Sequence, residues 1–498
     1  MSISIKSEQD FIKAYLEDSS NLRGGHADEV ILPSTIEELS AVVHEANSSR
    51  TPVTVSGGGT GTAGGRIPFG GIVVSMERFN RILDVSGEKM SCVAESGVSV
   101  DDLSKACESK ELFYTSHPTE WTAFVGGTVA TNASGARSFK YGPIRRYVKR
   151  LEMVLANGEM LEIRRGEIKL TREDSMVRLP SGRAIPVPLP TYVVPSIKNS
   201  AGYFAKDGMD LIDLFIGQEG TLSIITEIEL DLVKKPAKIL SCFAFFKNEI
   251  DAWDFADNVR LLSRYNEAGS GSRLDALSIE YFDANALNIL RMKNRNVPAG
   301  VKAAIFFEQE LSRETEEETW ARWLKLIENY HVSLDDTWCA MNANDTEMFT
   351  KLRHYIPEAI NDIVRQSGFQ KLSTDIAVPN DKFRALMEFY TETFRNNDIG
   401  HAIFGHIGES HVHINLLPRS GHELKRAQEI VLEFIKKAVA LGGTVSAEHG
   451  VGKTKHRYLE IMYGRAGVLE MARIKKAFDP NCILGLDNIF SKELLKST

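Results

Sequence analysis

The chain has 498 residues, 43% apolar and 25% charged, with a formal net charge of −8. That length exceeds one ordinary hydrophobic core and predicts two or three domains. The composition is that of a globular enzyme; the acidic balance argues against a dedicated nucleic-acid binder, and no apolar run is long enough to span a bilayer.

The first residues, MSISIKSEQDFIKAYLED, carry acidic groups early and no apolar signal-peptide core, so the expected location is cytoplasmic. Cys92, Cys107, Cys242, Cys339 and Cys482 are scattered without a C-x-x-C. They are expected to be reduced thiols, with no local iron–sulfur or zinc-knuckle motif. Next, Ser34 and Glu37 have capping-box spacing ahead of Leu39, Val42 and Val43, which predicts a helix.

Pro52-Val53-Thr54-Val55 then reads as a strand entering SGGGTGTAGGR, where six glycines fall between Gly57 and Gly65. Gly59-x-Gly61-x-x-Gly64 matches the dinucleotide fingerprint, which requires a helix to open inside it. Pro68 and Gly70-Gly71 break any such helix, and Ile72-Val73-Val74-Ser75-Met76 reads as the next strand. A glycine loop between two strands remains, able to approach a ligand closely and to turn consecutive amides toward an anion.

Further along, the basic cluster Arg145, Arg146, Lys149 and Arg150 reads as solvated surface. Leu222, Ile224 and Thr226 alternate as a half-buried strand does. Residues 239–246 and 303–307 are strand-like apolar runs between amphipathic helices; one helix, predicted over 314–330, carries an acidic run read as a solvated face.

The ordered elements from the capped helix onward resemble the FAD-binding domain of the vanillyl-alcohol-oxidase (PCMH-type) flavoproteins, whose first loop is usually P-x-x-x-R-G-G-G-T-G-x-x-G-G. Ser56 stands where Arg is common. His117-Pro118-Thr119-Glu120 with Val125 to Gly135, and Gly217-Gln218-Glu219-Gly220-Thr221-Leu222 onward, resemble the second and third FAD elements, with Tyr141-Gly142 between them. The resemblance implies an α+β protein: a two-subdomain FAD-binding domain over 1–235, a C-terminal α+β substrate domain with an antiparallel sheet over 236–455, and a final segment, 456–498, packed back on the FAD domain. It implies flavin contacts from Ser56, Gly57, Gly58, Gly59, Thr60 and Gly61; from Pro118, Thr119, Gly126, Gly127, Thr131, Ala133, Ser134 and Gly135; and from Glu219, Gly220 and Ile225. The first loop offers no His or Cys for a covalent link, so FAD is expected to be dissociable.

In the second half, Gly405-His406-Ile407-Gly408-Glu409-Ser410-His411-Val412-His413-Ile414-Asn415 is similar to G-H-x-G-D-G-N-x-H-x-N of the FAD-linked D-2-hydroxyacid dehydrogenases. Ser446-Ala447-Glu448-His449-Gly450 matches their S-x-E-H-G. The resemblance implies His406, His413 and Glu448 as ligands of a divalent metal (Zn, Mn or Fe), a donor set that suits first-row cations. It implies Arg353 on the substrate carboxylate, His449 as base for the 2-hydroxyl proton, and hydride transfer to flavin.

The chain departs from the pattern at several points. His411 replaces Asn, Glu409-Ser410 replaces Asp-Gly, and Leu484-Gly485-Leu486-Asp487-Asn488 replaces the family's closing L-N-P-G-K. Ser373 stands where 2-hydroxyglutarate-oxidising members carry Lys, with Lys371 displaced along the strand, which favours a small monocarboxylate of the D-lactate or glycolate type. The alternatives are a 2-hydroxyglutarate dehydrogenase, a flavin transferase without net redox related to alkylglycerone-phosphate synthases, and a flavin subunit dependent on partner chains; the transferases lack the paired His and Glu-His-Gly motifs. Expected partners are the hydroxy acid and an electron acceptor (quinone, cytochrome, electron-transfer protein or oxygen), with a homodimer, a redox complex and peripheral contact with the inner membrane left open.

Overall fold

Helix Ile36–Ser49 places Leu39, Val42, Val43 and Ala46 on one stripe, three and four residues apart, and buries all four. Its N-cap is Thr35, whose hydroxyl accepts from the Glu38 amide; Glu38 in turn accepts from the Ser34 amide and hydroxyl. The predicted Ser34–Glu37 box is therefore shifted by one residue, because Thr35 takes the extended backbone of the cap. These details come from a computed structural model that describes residues 3–116, 119–265, 274–312 and 314–497. The candidate residues His117 and Pro118 lie outside the described residues.

The chain divides into two compact units: Met1–Gly135, Pro143–Lys235 and Ser446–Thr498 form one, Ala136–Gly142 and Pro236–Val445 the other. The architecture is α+β. In the first unit the Ile36 helix packs in one apolar cluster with Val53 and Val74 of one sheet and Val154 and Ile224 of another. The first sheet runs Ser4–Lys6, Glu29–Leu32, Ile72–Ser75, Val53–Ser56, with the last two strands parallel. The second is an antiparallel sheet of five strands: Ile82–Ser86, Ser91–Glu95, Ser223–Asp231, Val148–Leu155 and Met160–Arg164. Residues 57–71 join the parallel strands Val53–Ser56 and Ile72–Ser75 without any helix, as Pro68 and Gly70-Gly71 predict.

The basic cluster departs from the expectation. Arg150 is buried and pairs with Glu162, Glu227 and Glu229 on adjacent strands, while Arg145 is nearly enclosed and donates to Asp213 and the Ile216 carbonyl. Period-two alternation turns Arg150 toward carboxylates that only sheet pairing supplies. Near the C-terminus, the segment His456–Phe478 is helical with a break at Gly464. Buried Lys475 then ties its end together, donating to the Thr221 and Leu484 carbonyls and to Asp479.

The second unit is built on an eight-stranded antiparallel sheet. Its order is Trp338–Cys339, Lys238–Phe246, Ala303–Leu311, Ala276–Asp283, His401–Gly405, His411–Leu416, Leu372–Ser373, with Ile376–Ala377 also pairing His411–Leu416. Alternation along Ala303–Leu311 sends Phe306 into a cluster with Phe243, Phe282, Leu352 and Ile356, under helices Ala284–Lys293 and Ala343–Ser367. Phe307 points the other way and stacks on Trp323 of helix Glu316–Asn329, with ring centroids 3.9 Å apart. That helix keeps Glu317 and Glu318 exposed, in line with a solvated acidic face.

The cysteine expectation fails at one pair. Cys242 and Cys339 are directly opposed on neighbouring antiparallel strands and form a disulfide, leaving Cys92, Cys107 and Cys482 free. Register brings them together from 97 residues apart, a relation that local spacing does not carry. No helix among the described residues is long and apolar enough to cross a membrane.

Candidate functional site

In the first unit, the glycine loop lies against a second turn. A Cβ on Gly58 would stand 2.8 Å from the Thr122 carbonyl oxygen, and one on Gly126 would meet the Ser96 carbonyl at 2.9 Å. Gly59 adopts a φ of +79°, open to glycine at little cost. By contrast, Gly61 and Gly127 face open space. The two loops thus touch each other on one side and present bare backbone on the other, a cradle that fits a flat ring and a pyrophosphate. Ser56 is fully buried at the strand end, Gly57 and Thr60 are half-buried, and Thr119 is exposed.

After helix Val125–Ala130, the Thr131 hydroxyl donates to the Gly127 carbonyl, and the Ala133 amide donates to the Thr128 carbonyl. Gly135 and Ser134 are buried. Behind these loops, Gly217 and Glu219 donate their amides to the Val129 and Ala130 carbonyls, which joins the second and third elements. Gly220, at φ +71°, lies against Val55, and Ile225 is buried on the central strand, facing away from the helix-packed Ile224.

The Glu219 carboxylate is committed to protein. It accepts from the amides of Val451 at 2.8 Å and Gly452 at 2.7 Å. Burial raises its pKa to about 7 against these two donors, which favour the ionised form. Glu219 therefore shapes the 446–452 loop, which also carries Glu448 and His449. On that loop Glu448 lies 2.9 Å from Lys198, 3.4 Å from the Ser134 hydroxyl, and 3.4 Å from the imidazole of the half-exposed His449. The tail that departs from the family pattern docks here too. Asn488 donates to the carbonyls of Gly65 and Glu219, and its side-chain oxygen accepts from Lys453 at 2.6 Å.

In the second unit, strands His401–Gly405 and His411–Leu416 form a hairpin across residues 406–410. Buried Arg260 clamps the turn by donating to the Ile407 and Gly408 carbonyls. Gly405 is required by close approach, since a Cβ there would stand 3.0 Å from the His413 ring. His411 and His413 are two apart on one strand and share a face, and His406 enters from the turn. The three ring centroids are 4.6–5.5 Å apart.

Two of the rings, His406 and His413, are oriented by an acceptor, and the third, His411, lies beside a carboxylate. His406 Nδ1 is 2.7 Å from Glu280, His411 Nε2 is 3.2 Å from Asp375, and His413 Nδ1 is 3.3 Å from the Thr374 carbonyl. Glu280 and Asp375 are both buried. Such backing fixes a ring's tautomer and raises its basicity as a ligand, so the donor set fits a divalent first-row cation. Arg353 on helix Ala343–Ser367 places its guanidinium 5.3 Å from the Phe306 ring centroid. Glu308, on the same sheet face, is taken up by both arms of Arg137. Burial raises the Glu308 carboxyl, but Arg137, with help from Arg353, outweighs it and holds the pKa at about 2.

Sequence patterns did not single out Lys198, Glu280, Asp375 or Arg137. The one local signal was Glu280 itself, a carboxylate in a strand, Ala276–Asp283, that is buried along its whole length. Ser373 is exposed and opposite Asn415, while Lys371 donates to Asn361 at 3.0 Å.

Comparison with known proteins adds the following. Residues 27–164 match the FAD binding domain family and residues 254–486 the family of FAD linked oxidases, C-terminal domain. The chain is 29% identical to the glycolate oxidase subunit GlcD of Bacillus subtilis, over 94% of this chain and 90% of the relative. It is 29% identical to a D-lactate dehydrogenase of Archaeoglobus fulgidus, covering 93% and 91%. A D-2-hydroxyglutarate dehydrogenase of Stutzerimonas stutzeri is 26% identical, covering 98% and 96%. Among solved structures, 4-ethylphenol oxidase from Gulosibacter chungangensis aligns with a TM-score of 0.68 at 16% identity, covering 98% and 95%. At that identity the likeness speaks for the fold.

Proposed function

The chain belongs to the PCMH-type family of FAD-linked oxidoreductases, and we propose that its reaction is the oxidation of a small 2-hydroxy acid, of the D-lactate or glycolate type, to the 2-oxo acid. Full-length similarity to relatives named for glycolate, D-lactate and D-2-hydroxyglutarate supports the substrate class. The observation that carries the chemistry is the imidazole cluster of the hairpin, with His406 backed by a buried carboxylate, His413 by a carbonyl, and His411 3.2 Å from the carboxylate of Asp375.

The bare-backbone loops around Gly57–Gly61 and Gly126–Gly135 would hold FAD, without a covalent link. By the motif resemblance, His406, His413 and Glu448 would hold a divalent cation. When bound, FAD supplies the two-electron acceptor and the cation the Lewis acidity that lowers the pKa of the 2-hydroxyl. Arg353 binds the substrate carboxylate with its planar fork, and the bidentate Arg137–Glu308 pair keeps a buried carboxylate from competing for it. His449 takes the hydroxyl proton as the α-hydrogen leaves. Lys371 is engaged with Asn361, which supports a substrate with a single carboxylate.

The test is an anaerobic screen of D- and L-2-hydroxy acids for flavin bleaching, repeated after chelation. Bleaching by D-lactate or glycolate, slowed by the chelator, is the expected result. Protein that stays colourless after FAD reconstitution, or bleaches with none of the acids, ends this proposal.

A further inference from the structure

The hairpin carries more imidazole than the reaction requires. His406 and His413 stand at the two histidine positions of the resembled motif, whereas His411 occupies a position where that motif has Asn. A histidine buried to 0% exposure, 3.2 Å from a carboxylate of Asp375, reads first as a core residue. Its surroundings favour another role. The ring meets the His413 ring nearly edge-on, at 72° and 4.6 Å, and the His406 ring at 51° and 5.3 Å.

Ligand nitrogens of all three side chains lie within 4.8 Å of one another. A cation at about 2.0–2.1 Å from each would draw them to roughly 3 Å apart, a closure that side-chain rotation can supply. The acceptors also assign the donor atoms. With Nδ1 of His406 and His413 on Glu280 and the Thr374 carbonyl, their lone pairs lie on Nε2; His411 Nε2 lies 3.2 Å from Asp375.

We propose that His411 is a third imidazole ligand, so that His406, His411 and His413 form a three-nitrogen face for a divalent cation built wholly within the second unit. This rests on the metal site proposed above and changes its chemistry. Replacing an amide position with imidazole shifts preference from oxygen-loving Mn2+ toward Zn2+, Co2+ and Cu2+.

The test uses the flavin-loaded full chain. Zn2+ and Mn2+ are titrated against a chromophoric chelator in wild type, His411→Asn, His411→Gln and His413→Asn. Loss of the third imidazole should weaken Zn2+ about tenfold to a hundredfold, and Mn2+ by less than about threefold. Pulsed EPR of the Cu2+-loaded wild type gives a readout that does not depend on a variant folding: three imidazole couplings are expected, falling to two in His411→Asn. Two couplings in wild type, or Zn2+ affinity unchanged in both His411 variants while His413→Asn loses it, overturns the role of His411 and leaves the metal site standing. Wild type that binds neither cation overturns both.

Discussion

Lys198 Nζ and Glu448 Oε2 lie 2.9 Å apart, with their side chains 3% and 9% exposed. A carboxylate so enclosed needs a cation beside it, and removing one partner of a buried pair strands the other. Lys198→Met should therefore cost about 3 kcal/mol of folding stability, read by denaturant unfolding of the flavin-loaded protein. A loss within about 0.5 kcal/mol, as at ordinary surface sites, would show that the pair is not what holds Glu448.

Arg353 tests the substrate contact. Arg353→Lys keeps the charge but loses the planar fork, so kcat/KM for the bleaching hydroxy acid should drop by about tenfold to a hundredfold. Flavin content should not change. Equal kcat/KM for arginine and lysine would place the substrate carboxylate elsewhere.

Asn488 ties the divergent tail to the glycine loop through Gly65, Glu219 and Lys453. Asn488→Ala removes three hydrogen bonds, each worth about 1 kcal/mol. FAD should dissociate more readily, with the fluorescence of released flavin as the measure. Retention equal to wild type would mean that the tail stabilises the chain without bearing on the cofactor.

Asp283 caps helix Ala284–Lys293 while buried, and burial raises its pKa to about 7 despite the donating Ala286 amide. A carboxyl raised in the folded state binds its proton more tightly there than in the unfolded chain. Its stabilisation is complete below the unfolded value of about 3.9 and is lost as pH rises through about 7. Asp283→Asn, which still caps, should flatten the fall in melting temperature between about pH 4 and 7. Parallel curves for the two proteins would count against a proton shared in this way.

Much of what was legible in the sequence was local. Pro68 and Gly70-Gly71 ruled out a helix after the glycines because φ restriction and chain freedom act within a few residues, and the loop between Ser56 and Ile72 has none. Alternation of Leu222, Ile224 and Thr226 marked a strand for the same reason, and Ser223–Asp231 is one. The family motifs, read in order, pointed to the α+β architecture and the flavin-linked chemistry of relatives.

Only the tertiary structure decided what each polar group meets. Glu280 reaches His406 across 126 residues of sequence, and Cys242 reaches Cys339 across 97. Those meetings depend on which strands are neighbours and in what register, and a shift of one residue would send every side chain to the opposite face. The same pairing buried Arg150 among three glutamates and left Ser373 exposed. A sequence specifies each donor and acceptor; the sheet order determines their partners.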